Sequence, residues 1–203
     1  MGSHVTPVVL DNFLKDPVAV RNSVLNCGFG TWRPNKGDMG ADYYDGLGFY
    51  GDHAPIVEAL YKRVGMIGYP NSMVFRVTNE TTEKGVVHSD VGAGDTTCFL
   101  YLSSHPEKYG TGFYRNKRTR SLTMPSLAEL ARNPEELARL KEEIATSPDE
   151  AWEEVEFVRG VFNRAVVFKS HCYHRRFPLH GIGNDVVGGR MIWIGHFKNG
   201  QLS

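Results

Sequence analysis

The chain has 203 residues, 41% of them apolar, enough for one domain with a sizeable core. Lys+Arg and Asp+Glu both total 23, so the formal net charge is zero and no global field draws the protein to nucleic acid or to an anionic membrane. Cys27, Cys98 and Cys172 form no CxxC pair, which speaks against a disulfide framework or a Cys-rich zinc site and for a reduced, cytoplasmic setting. No apolar run is long enough for a transmembrane helix, and the N-terminus lacks the pattern of a signal peptide. Residues 1–4, MGSH, read as a cloning scar, so His4 is set aside and residues 5–203 are taken as a single domain.

In chain order, Val8–Leu10 predicts a short strand. Asp16 caps the next segment, and Pro17 takes the first helical position, where its missing N–H does no harm. Residues 28–53, rich in glycine and aromatics, read as a long irregular loop, and structureless loops of such length usually carry function. Two readings fit it equally. It is a lid, with glycines permitting movement and aromatics supplying contact, or a plug over the end of a barrel. APIVEALYKRVG then predicts a second helix closed by Gly65. From Ser72 strands dominate: MVFRV, GVVHSD, TTCFLYLS and GTGFYR. Residues 121–149 change character. SLAELARNPEELARLKEEIAT predicts two helices split at Asn133–Pro134, a surface insertion whose Leu127–Ile144 stripe packs it down. WEEVEFV, NRAVVFKS and RMIWIGHF return to strands. Short helices, many strands and no βαβ alternation predict a β-rich α+β domain, a barrel or sandwich.

The stretch VVHSD, Val86–Asp90, carries the first chemical signal. On a strand, His88 and Asp90 share one face while Ser89 points away. Alone, the pair is as well explained by a structural His–Asp hydrogen bond as by a metal. NRAVVFKSHCYHRRFPLHG adds His171, His174 and His180 just after a strong strand, and Arg190 opens RMIWIGHF on one face with Ile192, Ile194 and His196. Two imidazoles and a carboxylate suit a facial Fe(II) triad with three positions open, whereas a structural zinc site takes four ligands. An arginine on an apolar face needs an anionic partner, and a cosubstrate carboxylate supplies one. His171 and His196 read as non-ligands, and His53 and His105 as loop residues. The basic run YRNKRTR reads as a solvated turn ahead of a phosphate contact.

The order HxD, H, R resembles the Fe(II)/2-oxoglutarate-dependent oxygenases. VVLDNFLKDPVAVRNSVL, VVHSD, FLYLS with GTGFYR, FNRAVVFKSHCYH and GGRMIWIGHF are similar to a poorly characterised phage and bacterial branch related to prolyl-hydroxylase-like members. The resemblance spans most of the chain outside the insertion. It implies a double-stranded β-helix (jelly-roll, cupin-like) core with N-terminal helices and a helical insertion. It also implies that His88, Asp90 and His174 bind iron and that Arg190 binds the far carboxylate of 2-oxoglutarate. Tyr101 is a second contact for that cosubstrate, with Tyr114 and Arg115 weaker candidates. His180 competes with His174 as distal ligand through its shorter spacing to Arg190. His174 is preferred because it follows the strand ending at Phe168–Ser170, whereas PLHGIG reads as a turn. The implied reaction consumes O2 and 2-oxoglutarate and hydroxylates an amino acid, peptide or nucleobase. Two other classes compete: a catalytically silent cupin-like binding protein, which has no need of Arg190, and a zinc or manganese hydrolase, which consumes no O2.

Overall fold

The computed structural model of the chain describes residues 6–26, 32–36, 42–46, 53–78, 85–103, 109–146, 148–179 and 182–201. The N-terminal part runs β1 (Val8–Leu10), α1 (Pro17–Asn26), β2 (Trp32–Lys36), β3 (Asp42–Gly46), α2 (Ala54–Val64) and β4 (Ile67–Thr78). There follow β5 (Thr96–Tyr101), β6 (Gly110–Asn116), α3 (Leu127–Arg132), α4 (Pro134–Thr146) and α5 (Pro148–Ala151). The chain closes with β7 (Trp152–Arg159), β8 (Ala165–Lys169), β9 (His174–Phe177) and β10 (Arg190–Gln201).

The fold is mixed and strand-rich. A seven-stranded sheet has the order β1-β8-β5-β10-β4-β3-β2, and a three-stranded sheet the order β7-β6-β9. Every pairing is antiparallel. Side-chain alternation sorts the large sheet into two buried faces. Cys98, Leu100, Val167, Met191 and Trp193 meet Val20 and Val24 of α1 and Ile56 and Leu60 of α2. Phe99, Tyr101, Val166, Phe168, Ile192 and Ile194 point the other way and meet Phe113 and Val158 of the small sheet. On the far side of the small sheet, Tyr114 and Trp152 pack against Leu130, Leu140 and Ile144 of α3 and α4. The order of layers is therefore helices, large sheet, small sheet, insertion helices. Any group placed between the sheets sits in a low-dielectric slot.

Local chemistry sets the ends of the elements. The Asp16 carboxylate accepts from the Ala19 N–H at 2.9 Å and caps α1. Gly65 ends α2 at φ 61°, a left-handed turn that disfavours other residues. Ser126 and Glu129 form a capping box on α3. His53 precedes α2, and its Nδ1 accepts from the Trp193 indole at 2.8 Å, so this residue ties the helix to the sheet.

Two expectations change. The irregular loop over 28–53 contains two strands, because β3 pairs with β4 and β2 caps the sheet edge. Pro34 fits there because an edge strand can dispense with one ladder donor. Residues 28–31, 37–41 and 47–52, on which the lid and plug readings rest, lie outside the described residues. GVVHSD is not a strand: residues 85–90 are irregular, with one bridge, His88 to His174. HRRF, for which the sequence predicts no element, is β9, because pairing with β6 outweighs its poor strand composition. The stretch predicted to be helical holds α3 and α4, split at Asn133, and is followed by a further turn, α5. The basic run turns over at residues 117–119, where Glu residues occupy its cations. Arg118 meets Glu136 at 2.7 and 2.9 Å and also Glu143, and Arg115 meets Glu153 at 3.2 Å.

Candidate metal centre

The site is built from a short crossing of two chain segments. The His88 N–H donates to the His174 carbonyl at 3.0 Å, and the His174 N–H returns a bond to the His88 carbonyl at 2.8 Å. This places the two rings 4.4 Å apart. Two residues on, the Asp90 N–H donates to the Ser170 carbonyl at 2.9 Å, which fixes the carboxylate beside both rings. The result is one group, His88, Asp90 and His174, whose ligand atoms all lie within 4.8 Å of one another. Among the described residues, no other group of three His, Cys, Asp or Glu meets that geometry.

The hydrogen bonds also settle which nitrogen faces inward. His88 Nδ1 lies 3.0 Å from the Val86 carbonyl, and His174 Nδ1 lies 3.0 Å from the Cys172 carbonyl. A carbonyl only accepts, so both Nδ1 atoms carry the proton and both Nε2 atoms present a lone pair. His174 Nε2 is buried with no hydrogen-bond partner among the described residues and stands 3.6 Å from Asp90 Oδ2. His88 Nε2 stands 3.9 Å from Oδ1. Acceptor atoms facing one another repel unless a cation lies among them, so this donor set fits a divalent metal. The site opens on one side: the His88 side chain is 44% exposed, while that of His174 is 2% exposed.

Burial lowers the His174 imidazole from 6.5 to about 4, which keeps it neutral at pH 7 as a ligand must be. Burial works the other way on the Asp90 carboxyl, but the positive charges that His174, His196 and His88 carry when protonated outweigh it and hold Asp90 well below the usual carboxylate range. Thr97 adds a hydroxyl donor to Oδ2 at 3.0 Å and is itself joined to Ser170 at 2.8 Å.

The remaining predicted residues gather at the other end of β10. Arg190 is buried, its Nε has no hydrogen-bond partner among the described residues, and its guanidinium lies 5.6 Å over the Tyr109 ring. Tyr101 is fully buried, and its hydroxyl meets Thr111 across the sheets at 2.7 Å. Burial pushes its phenol up, so it remains protonated. Tyr114 lies on the outer face of the small sheet against Glu154 and Arg175, and Arg115 pairs with Glu153, so neither joins the centre. His171 is not in the group. His180 lies outside the described residues. Sequence reasoning did not single out Thr97, Ser170 or Ser72. Thr97 and Ser72 stand opposite His196 in the ladder and Ser170 meets Thr97, relations that emerge only once the strand partners are known.

Residues 81–176 match the model of a family of unknown function (DUF6445), a span that holds His88, Asp90 and His174. No curated protein matches the chain. Among solved structures, the chain is similar to SnoK, a non-heme alpha ketoglutarate dependent carbocyclase from nogalamycin biosynthesis. The TM-score is 0.57 at 14% identity, covering 98% of this chain and 82% of that one. It is also similar to SnoN, a non-heme alpha ketoglutarate dependent epimerase from nogalamycin biosynthesis. There the TM-score is 0.57 at 13% identity, covering 94% of this chain and 75% of that one. At such identities the likeness is one of fold: the chain shares its fold with non-heme alpha-ketoglutarate-dependent enzymes.

Proposed function

We propose that the chain is a non-haem Fe(II)/2-oxoglutarate-dependent dioxygenase on a double-stranded β-helix core. It hydroxylates an unactivated C–H bond of an amino acid, peptide or nucleobase. One observation carries the reading: two lone-pair Nε2 atoms and a carboxylate converge within 4.8 Å on a half-open site. The fold shared with two alpha-ketoglutarate-dependent enzymes supports it.

In this reading His88, Asp90 and His174 hold Fe(II) on one face and leave the opposite face to cosubstrate and O2. Iron with 2-oxoglutarate and O2 supplies an oxidant strong enough for a C–H bond, one oxygen atom going to succinate and one to product as CO2 leaves. The protein's task is orientation. β10 carries Arg190 at its start and His196, beside the metal group, in its middle. A diacid lying between the sheets with one end at the metal presents its far carboxylate to Arg190. A buried guanidinium grips such a group strongly, because both the charge and the donors then find partners. Tyr101 stays a neutral phenol at that end. The carbonyls of Val86 and Cys172 keep the two imidazoles aimed.

The test is an anaerobic titration with Fe(II) and 2-oxoglutarate, watching for the visible metal-to-ligand charge-transfer band of a chelated keto acid. A band that is lost in His174→Ala and kept in His180→Ala supports the centre and its distal ligand. No band, with metal bound, overturns the oxygenase reading. Succinate formed only with one substrate class then names that class.

A further inference from the structure

A third histidine touches the centre, from the large sheet. His196 Nε2 lies 3.5 Å from Asp90 Oδ2, and this nitrogen is buried with no hydrogen-bond partner among the described residues. The residue is held by one row of the sheet. In register, His196 stands opposite Ser72 on β4 and opposite Thr97 on β5. Side chains of such a row share a face. Ser72 Oγ lies 2.8 Å from His196 Nδ1, and Thr97 Oγ1 donates to the same Asp90 oxygen at 3.0 Å. The β10–β4 ladder slips between His196 and Phe197, where Asn71 of β4 is skipped in the register.

The direction of these bonds follows from donor chemistry. An ionised carboxylate only accepts. His196 therefore faces Asp90 favourably with Nε2–H, and its Nδ1 accepts from the Ser72 hydroxyl. Thr97 by a hydrogen bond and His196 from 3.5 Å thus both face Oδ2. Oδ1, which accepts from neither, faces the His88 lone pair at 3.9 Å, while Oδ2 also stands 3.6 Å from the His174 lone pair. His196 itself is outside the group whose ligand atoms lie within 4.8 Å of one another.

We propose that His196 is a positioning residue that, with Ser72 behind it and Thr97 beside it, ties down Asp90 Oδ2 so that Asp90 meets the metal through Oδ1 alone. The inference rests on the metal-centre reading above. Its consequence is a coordination position: a carboxylate held to one oxygen leaves free a site that a bidentate carboxylate would occupy, and a chelating keto acid together with O2 needs all three open positions.

The test is Mn(II) binding to the metal-free protein, followed by loss of the EPR signal of free Mn(II), with Co(II) absorption as a second readout. His88→Ala abolishes binding. His196→Phe, which keeps the ring volume and removes the donor, weakens Mn(II) about 10–100-fold. His196→Gln, whose side-chain N–H reaches the same oxygen, recovers most of the affinity and leaves the Co(II) spectrum unchanged. Ser72→Ala, at an exposed position that tolerates truncation, gives a smaller loss and keeps the test open if the Phe variant does not fold. Undiminished affinity in both His196→Phe and Ser72→Ala, with His88→Ala inert, overturns this inference alone. A Co(II) spectrum altered in His196→Gln overturns it too, by making His196 a ligand. Undiminished affinity in His88→Ala overturns the metal centre itself.

Discussion

His88 and His174 are joined backbone to backbone by a reciprocal pair of hydrogen bonds at 3.0 and 2.8 Å, an isolated bridge between an irregular segment and the first residue of β9. The pairing makes the spacing of the two imidazoles a property of the main chain. Side-chain truncation therefore leaves the segments in place.

This separates the two histidines experimentally. His88 is half exposed, so His88→Ala removes metal binding while changing the stability of the metal-free protein by only about 0.5 kcal/mol. His174 packs among Phe99, Phe113 and Phe168, so His174→Ala removes metal binding and also costs about 2–4 kcal/mol through the cavity it leaves. Metal titration and urea denaturation of both variants check this. Equal stability losses would show that His174 is not part of the packed core.

Arg190→Met should raise the Kd for 2-oxoglutarate about 10–100-fold, the worth of a lost charge-assisted pair, and leave Mn(II) affinity alone. Arg190→Lys should recover little, since an ammonium lacks the flat two-pronged donor set. Calorimetric titration of 2-oxoglutarate into the Mn(II)-loaded variants measures both. An unchanged Kd in Arg190→Met would remove Arg190 from the cosubstrate site.

The metal-free protein should lose stability as it is acidified through the pH 6.5 to 4 window. His174 takes up a proton near 6.5 when unfolded and only near 4 when folded, so within that window the unfolded chain binds more protons and stability rises with pH. The loss is complete only below the folded value and is on the order of 3 kcal/mol. Asp90, held low in the folded state, adds to the loss further down. Tm measured from pH 7.5 to 4.5 on metal-free protein tests the sign. A flat profile would mean that the buried imidazole titrates normally.

Arg118→Ala should loosen the insertion. Its guanidinium joins Glu136 and Glu143 of α4 to the turn after β6, a partly buried network worth about 1 kcal/mol. Hydrogen exchange should rise in α4 without change at Ala165–Lys169. Exchange unaltered in α4 would assign its docking to Leu140 and Ile144 alone.

How far the site was legible in the sequence depends on which residues are asked about. His88 and Asp90 stood out as a pair, yet the reason offered, strand alternation, is not what brings them together. Residues 85–90 form no strand, and the pair converges through bonds to His174 and Ser170. His174 was preferred to His180 because it follows a strong strand, and it does sit beside Asp90. Thr97 and Ser72 were invisible because a lone hydroxyl on a strand carries no signal until its neighbours across the ladder are known.

By itself, the sequence determined the elements whose signals are local. Asp16–Pro17, Gly65 and Ser126 with Glu129 mark helix ends through hydrogen bonds and φ angles that neighbours in sequence complete. The apolar alternation of β5, β8 and β10 shows through because burial selects it residue by residue. Only the tertiary structure decided the rest. β2, β3 and β9 exist because a partner strand completes their backbone bonds. The centre exists because a bridge between residues 86 positions apart holds two imidazoles against one carboxylate. Loop closure over such a distance is specified by the packing of both sheets, and no short stretch of chain encodes it.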